Sequence, residues 1–216
     1  MPLWMLDEHI WFPPAAEALE DGLLAVGGDL GSERLLLAYR NGIFPWFNEE
    51  DPILWWSPNP RFVLLPSALK VSSSMKQVLK RGQFEFRLDS AFEAVMRGCA
   101  TAPRSDDAGT WISEEMVEAY VRLHELGYAH SAESWQDGVL VGGLYGVRLG
   151  NVFFGESMFS NVSNASKAAF IQLVRMLENE GVQLIDCQLP TAHLASLGAG
   201  PMPREQFLQS LQELIP

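Results

Sequence analysis

Five large aromatics fall within the thirteen residues from Phe44 to Trp56, inside the phrase GIFPWFNEEDPILWWSPNPR (42–61), and Pro45, Pro52, Pro58 and Pro60 interrupt it. Proline fixes φ and removes a backbone donor, so neither a helix nor a central strand is expected to run through this stretch. Aromatics on such a kinked segment do not follow the two-residue or 3.6-residue rhythm of core side chains. They form either a rigid wall on which a flat ligand can stack or an aromatic mini-core that staples an N-terminal unit. The prolines also divide the chain. Residues 1–60 are expected to form a small N-terminal domain, and residues 61–216 a larger one that opens on the strand-like FVLLP.

The larger part carries a readable succession of elements. A helix is expected over 72–80, a strand over 84–88 and a helix over 91–99. Ser113 heads a further helix to residue 126, with Glu114 and Glu115 in the favourable first turn and Gly127 closing it. Three strand-like runs come next, over 130–135, 139–147 and 152–156. Asp137-Gly138 and Gly150-Asn151 separate them, which is hairpin chemistry. A helix over 164–180, a short apolar run over 182–187 and a terminal helix opening at Pro203 complete the pattern. In the small domain Ser32 is expected to cap a helix over 33–41 that stops at Gly42. An antiparallel meander followed by helix, strand and helix indicates an α+β fold with helices against a mixed sheet.

Composition excludes several classes. No apolar run approaches the roughly 18 residues of a membrane span, and the acidic N-terminus does not resemble a secretory signal, so a cytoplasmic, membrane-free protein is expected. Cys99 and Cys187 form no CxxC pair, and His9, His124, His130 and His193 lack ligand spacing, so no metal is expected. There is no GxxxxGK[ST] phosphate loop and no GxGxxG turn, and Gly155-Glu156-Ser157-Met158-Phe159 lacks the final glycine of a nucleophile elbow.

Charge is unevenly spread. Residues 1–66 carry net −7 and residues 105–216 net −9, but residues 67–104 carry net +4 through Lys70, Lys76, Lys80, Arg81, Arg87, Arg97 and Arg104. A basic island in an acidic chain is either a localised phosphate contact or a solvated face. The acidic remainder suits a cationic second substrate.

Two strand ends carry the candidate chemistry. Glu156 follows the apolar Val152-Phe153-Phe154, and Asp186 and Gln188 follow Leu184-Ile185. On a regular strand, residues 186 and 188 share a face, which makes the carboxylate and the amide neighbours. A carboxylate on a buried strand is paired, hydrogen-bonded or functional.

Several blocks appear in order: GLLAVGGDL (22–30), AYRNGIFPWF (38–47), WWSPNPR (55–61), GTWI (109–112), LVGGLYGVRLGNVFFGESMFS (140–160), NASKAAF (164–170) and LIDCQ (184–188). Together they resemble the leucyl/phenylalanyl-tRNA–protein transferases. The resemblance implies a small N-terminal domain joined to an N-acetyltransferase-like (GNAT-type) domain. It implies transfer of leucine or phenylalanine, and less readily methionine, from aminoacyl-tRNA to proteins with N-terminal arginine or lysine, marking them for N-end-rule degradation without a cofactor. In that family the residues corresponding to Asp186, Gln188 and Glu156 lie at the reaction centre. Trp46 and Trp111 then become candidates for stacking on the terminal adenosine, and Lys76, Lys80 and Arg81 for tRNA phosphates. Leu144, Phe153, Phe154, Met158, Phe170, Leu173 and Ile185 are expected to line the donor side-chain pocket, with Met158 flexible enough for either donor. Two rivals are an acyl-coenzyme A N-acyltransferase, whose glycine-rich loop is missing from residues 158–163, and a non-catalytic module that binds tRNA or basic N-termini.

Overall fold

The computed structural model describes residues 3–48, 50–102 and 112–216. Trp111 and Arg104, with most of the GTWI block, lie outside the described residues.

The N-terminal residues build a four-stranded sheet from β1 (Trp4–Leu6), β2 (Leu23–Gly27), β3 (Phe44–Pro45) and β4 (Leu54–Trp56). Its order is β1-β2-β4-β3. The aromatic segment therefore does contain an interior strand, contrary to expectation. Three residues of β4 fit between Pro52 and Pro58, so no proline interrupts the ladder, while Pro45 sits on the edge strand β3 where a missing donor is tolerated. Helix α1 (Ser32–Arg40) follows Gly31, which has no side chain to cap with; Asp29 Oδ1 accepts the Gly31 N–H at 2.7 Å instead of the expected Ser32 cap.

Among the described residues, seven strands form the larger sheet: β5 (Arg61–Leu64), β6 (Glu85–Leu88), β7 (Ala129–Gln136), β8 (Val139–Leu149), β9 (Val152–Ser160), β10 (Leu184–Gln188) and β11 (Gly200–Met202). Their order is β11-β5-β10-β9-β8-β7-β6, and each of these pairings is antiparallel except β9 with β10. Helices α2 (Ser73–Lys80), α3 (Phe92–Thr101), α4 (Glu114–Glu125), α5 (Ala165–Asn179), α6 (Ala192–Ser196) and α7 (Arg204–Leu214) accompany it. The architecture is the expected α+β one: a small sheet, then a large, mainly antiparallel sheet flanked by helices. Ser72 and Ser113 accept the Met75 and Met116 N–H groups, so both helices start where their caps dictate. Asp137 and Gly138 both take positive φ, the two-residue turn that joins β7 to β8.

Each face of the large sheet covers its own core. One gathers Leu144, Phe153, Phe170, Leu173 and Ile185 with α2 and α5. The other joins α3 and α4 to the small sheet and α7, through Phe92, Tyr120, Phe154, Tyr39, Trp55 and Phe207. The two sheets thus share one apolar core; the Tyr39 and Phe154 rings meet at 5.0 Å across it.

A bulge in the β8–β9 ladder sets the position of Glu156. Gly146 pairs with Gly155 and Tyr145 with Ser157, which leaves Glu156 as the extra residue. A Cβ on Gly146 would stand 2.2 Å from the Phe154 carbonyl oxygen and 2.6 Å from Phe153 Cζ, so only glycine lets the strands close at this point. Gly146→Ala is therefore expected to destabilise the protein by about 1–3 kcal/mol, as overpacked cores do, and to disturb Glu156. Urea unfolding measures the first effect, and a midpoint equal to the wild type would refute it.

Candidate active site

Strands β9 and β10 run side by side only as far as Phe154 and Asp186. From Gly155 onward β9 pairs with β8 alone, while the chain after β10 turns away. A cleft of about 480 Å³ opens between them. Its mouth carries Trp46, 41% exposed, from the small sheet. The Trp46 carbonyl accepts the Trp56 indole N–H at 2.6 Å, and the two rings lie 5.6 Å apart. Phe47 and Trp55 go into the core instead, so the aromatic segment supplies both a mini-core and a wall.

Asp186, Gln188 and Glu156 meet at this cleft, as expected, but by a different geometry. Gln188 adopts φ 60°, and the β5–β10 register slips between Asp186 and Gln188. That left-handed turn breaks the alternation that would have kept the two side chains on one regular face. Asp186 instead accepts the backbone N–H of Gln188 at 2.9 Å, and the Gln188 side chain donates from Nε2 to Glu156 Oε1 at 2.8 Å. Tyr120 donates to Glu156 Oε2 at 3.2 Å, and its hydroxyl is in turn bonded to that of Tyr39.

Arg61, which the sequence pattern did not single out, completes the cluster. It is 1% exposed and forks onto the fully buried Asp186, Nε to Oδ1 at 2.8 Å and Nη2 to Oδ2 at 2.7 Å. A usable signal was present. Arg61 directly precedes the apolar FVLL, and a guanidinium buried together with such a run needs a carboxylate.

Burial raises the pKa of Glu156 to about 8, aided by the charge of Asp186 and opposed by hydrogen bonds from Tyr39, Tyr120 and Gln188. Burial and the Glu156 carboxylate hold both tyrosines far above their ordinary values, so they remain protonated donors. Cys187 lies on the cleft wall between the two key residues, and burial, then Asp186, pushes its thiol far up. His193 also lines the cleft; burial and Lys167 lower its pKa, so it is neutral.

Of the expected pocket residues, Leu144, Met158, Phe170 and Ile185 line the cleft. Phe153, Phe154 and Leu173 do not. Adjacent residues on a strand face opposite ways, which sends Phe153 into the core under α5 and Phe154 into the other core against Tyr39. Leu173 lies one turn beyond Phe170 and packs among the buried residues of α5. The basic island also narrows. Arg87 pairs with Glu85, and Arg97 with Glu93 and Glu114. Lys76, Lys80 and Arg81 are exposed on or beside α2, and no ion pair among the described residues involves them.

Family models described as the leucyl/phenylalanyl-tRNA protein transferase and its N-terminal domain match residues 63–212 and 28–59. The chain belongs to the leucyl/phenylalanyl-tRNA–protein transferase family. The leucyl/phenylalanyl-tRNA–protein transferase of Nitrosospira multiformis is 61% identical over 214 residues, 98% of this chain and 91% of that protein. That of Syntrophobacter fumaroxidans is 58% identical over 216 residues, 100% of this chain and 92% of its own. Among solved structures, a GCN5-related N-acetyltransferase from Kribbella flavida covers 78% of this chain and 60% of its own length at 12% identity and TM-score 0.38, a likeness too distant to decide anything. No helix among the described residues of this transferase is long and apolar enough to cross a membrane.

The raised Glu156 value has a consequence for stability. The folded protein keeps the Glu156 proton to about pH 8, whereas the ordinary value is 4.5. Between those limits the native state binds the extra proton, so the contribution is complete below the lower value and is lost as pH rises through the upper one. Relative to Glu156→Gln, which cannot titrate, the wild type is expected to lose stability from about pH 5 to about pH 8.5. Urea unfolding of both proteins across that range checks this; a difference independent of pH would contradict it.

Proposed function

We propose that the cleft holds the aminoacylated 3′ end of leucyl- or phenylalanyl-tRNA and passes its amino acid to the α-amino group of proteins that begin with arginine or lysine. The observation that carries this reading is the apolar cleft ending at the Gln188–Glu156 pair. An apolar donor side chain enters among Leu144, Met158, Phe170 and Ile185, and the ester carbonyl then lies beside the polar pair. Trp46 offers a face to the terminal adenine, a stacking worth about 1–3 kcal/mol that requires no particular base. In this reading residues 1–60 supply the stacking wall and residues 61–216 the reacting groups. Charged tRNA as donor makes the cytoplasm the site of action.

The chemistry is aminolysis of an ester. An α-amino group has a pKa of about 7.7–8.0, so a substantial neutral fraction exists near neutral pH and no strong base is needed. The amine nitrogen attacks the ester carbonyl carbon, the bond to the ribose oxygen breaks, and that oxygen leaves with a proton. Gln188 Nε2 is committed to Glu156, which leaves the amide oxygen to accept the N–H of the attacking amine. Asp186 is committed to Arg61 and to the Gln188 backbone, which favours the role of electrostatic anchor over that of base. Glu156 supplies selection for basic N-termini. A cation brought beside it favours its ionised form, so binding of an arginine or lysine side chain and loss of the Glu156 proton assist one another.

The test is transfer of radiolabelled leucine from charged tRNA to a peptide beginning with arginine, with no added cofactor. Wild type is expected to transfer. Asp186→Ala should lose about 100-fold or more, and Gln188→Ala somewhat less, with tRNA affinity nearly unchanged in both. Folded variants that transfer at the wild-type rate would exclude this centre.

Lys76, Lys80 and Arg81 serve in this reading as phosphate contacts, which position tRNA without reading its sequence or its amino acid. Each neutralisation is expected to weaken tRNA binding and to reduce the log–log salt slope by about 1 or slightly less. The double variant Lys80→Ala/Arg81→Ala should keep the wild-type preference between leucine and phenylalanine. An unchanged affinity and slope in that variant would move the tRNA surface elsewhere.

A further inference from the structure

The proposed reaction gives no task to Arg61, yet few side chains are held so firmly. Its guanidinium carbon lies 4.6 Å from the centre of the Phe44 ring and 4.8 Å from that of Phe207. Its edge meets both Asp186 oxygens, and Nη1 is buried without a partner among the described residues. The slot is thus flat, aromatic on two sides and anionic at one end, a shape that a guanidinium fills and an ammonium does not.

Each of these contacts leads to the reacting groups. Asp186 Oδ1 accepts from Arg61 Nε at 2.8 Å and from the Gln188 backbone N–H at 2.9 Å. Two backbone hydrogen bonds hold the turn at Gln188, φ 60°: its own N–H to Asp186 Oδ1 and the Leu189 N–H to the Cys187 carbonyl at 2.7 Å. Through Phe44, which also lines the cleft, Arg61 meets the strand end that carries Trp46.

We infer that Arg61 is a positioning residue for aminoacyl transfer, holding the Asp186 carboxylate in the orientation that fixes the Gln188 backbone and hence its amide. Arg61 does not touch substrate; its effect runs through Asp186. This inference rests on the reaction proposed above.

Chemical rescue tests it. Arg61→Ala is expected to lose about 100-fold in kcat, the scale of a misplaced reacting group, while donor KM changes little. Guanidinium ion, at concentrations well below those that unfold the protein, should enter the vacated slot and restore part of the lost kcat. Methylammonium should not, and Asp186→Asn/Arg61→Ala should gain nothing from either ion. Far-UV circular dichroism confirms folding. Where Arg61→Ala fails to fold, Arg61→Lys keeps the charge and most of the volume and is still expected to lose kcat.

Wild-type kcat in either folded variant overturns the inference. So does guanidinium failing to rescue folded Arg61→Ala, or rescue that persists once Asp186 is neutral. Wild-type protein that transfers no amino acid overturns the proposed function instead. The inference, which rests on that reaction, then falls with it, whereas wild-type transfer together with unimpaired Arg61 variants overturns the inference alone.

Discussion

Parallel neighbours cannot be joined by a two-residue turn, and β9 and β10 are the one parallel pair among the described strands of the large sheet. The connection must cross a face of the sheet, and α5 makes that crossing over fifteen residues. Once the helix is packed, the two strands need stay together only where their side chains are buried. They part after Phe154 and Asp186, and the cleft is the space left by that parting. The bulge at Gly146 and the left-handed backbone at Gln188 lie on the two sides of this opening. Each turns a strand end so that its polar side chain meets the other across the gap.

Buried charge in this acidic chain follows a consistent rule. Glu133, fully buried, accepts from the backbone N–H groups of Ser90 and Ala91 at the start of α3, and from Ser131 and Trp135. Arg34 pairs with Asp29 and donates to the Asp7 carbonyl. Asp186 has Arg61. Glu156, like Glu133, has hydrogen-bond donors but no ion pair among the described residues, and burial, aided by the charge of Asp186, raises its pKa to about 8.

What was legible in the sequence was mostly local. Ser72 and Ser113 announce their helices because a cap acts within three residues, and Asp137-Gly138 announces its hairpin because the turn requires positive φ. Strand-end Glu156, Asp186 and Gln188 could be picked out because polar groups after apolar runs need a reason. Pairings between distant residues were not legible. Arg61 and Asp186 are 125 positions apart and Tyr39 and Tyr120 are 81 apart, and no periodicity links such residues. Nor could the pattern tell which of Phe153 and Phe154 faces which core, since both faces of a central strand are apolar and alternation carries no sign. The strand β4 was hidden by its prolines, which bound it without entering it.

Cys187 stands between Asp186 and Gln188, where a reactive thiol would expose the centre to oxidants and alkylating agents. The thiolate is the reactive form, and burial, aided by the same carboxylate that anchors Gln188, suppresses it. Sulfenic acid formation and disulfide exchange both begin from that thiolate. Burial beside one carboxylate therefore gives the centre a second property, a thiol held in its unreactive, protonated form.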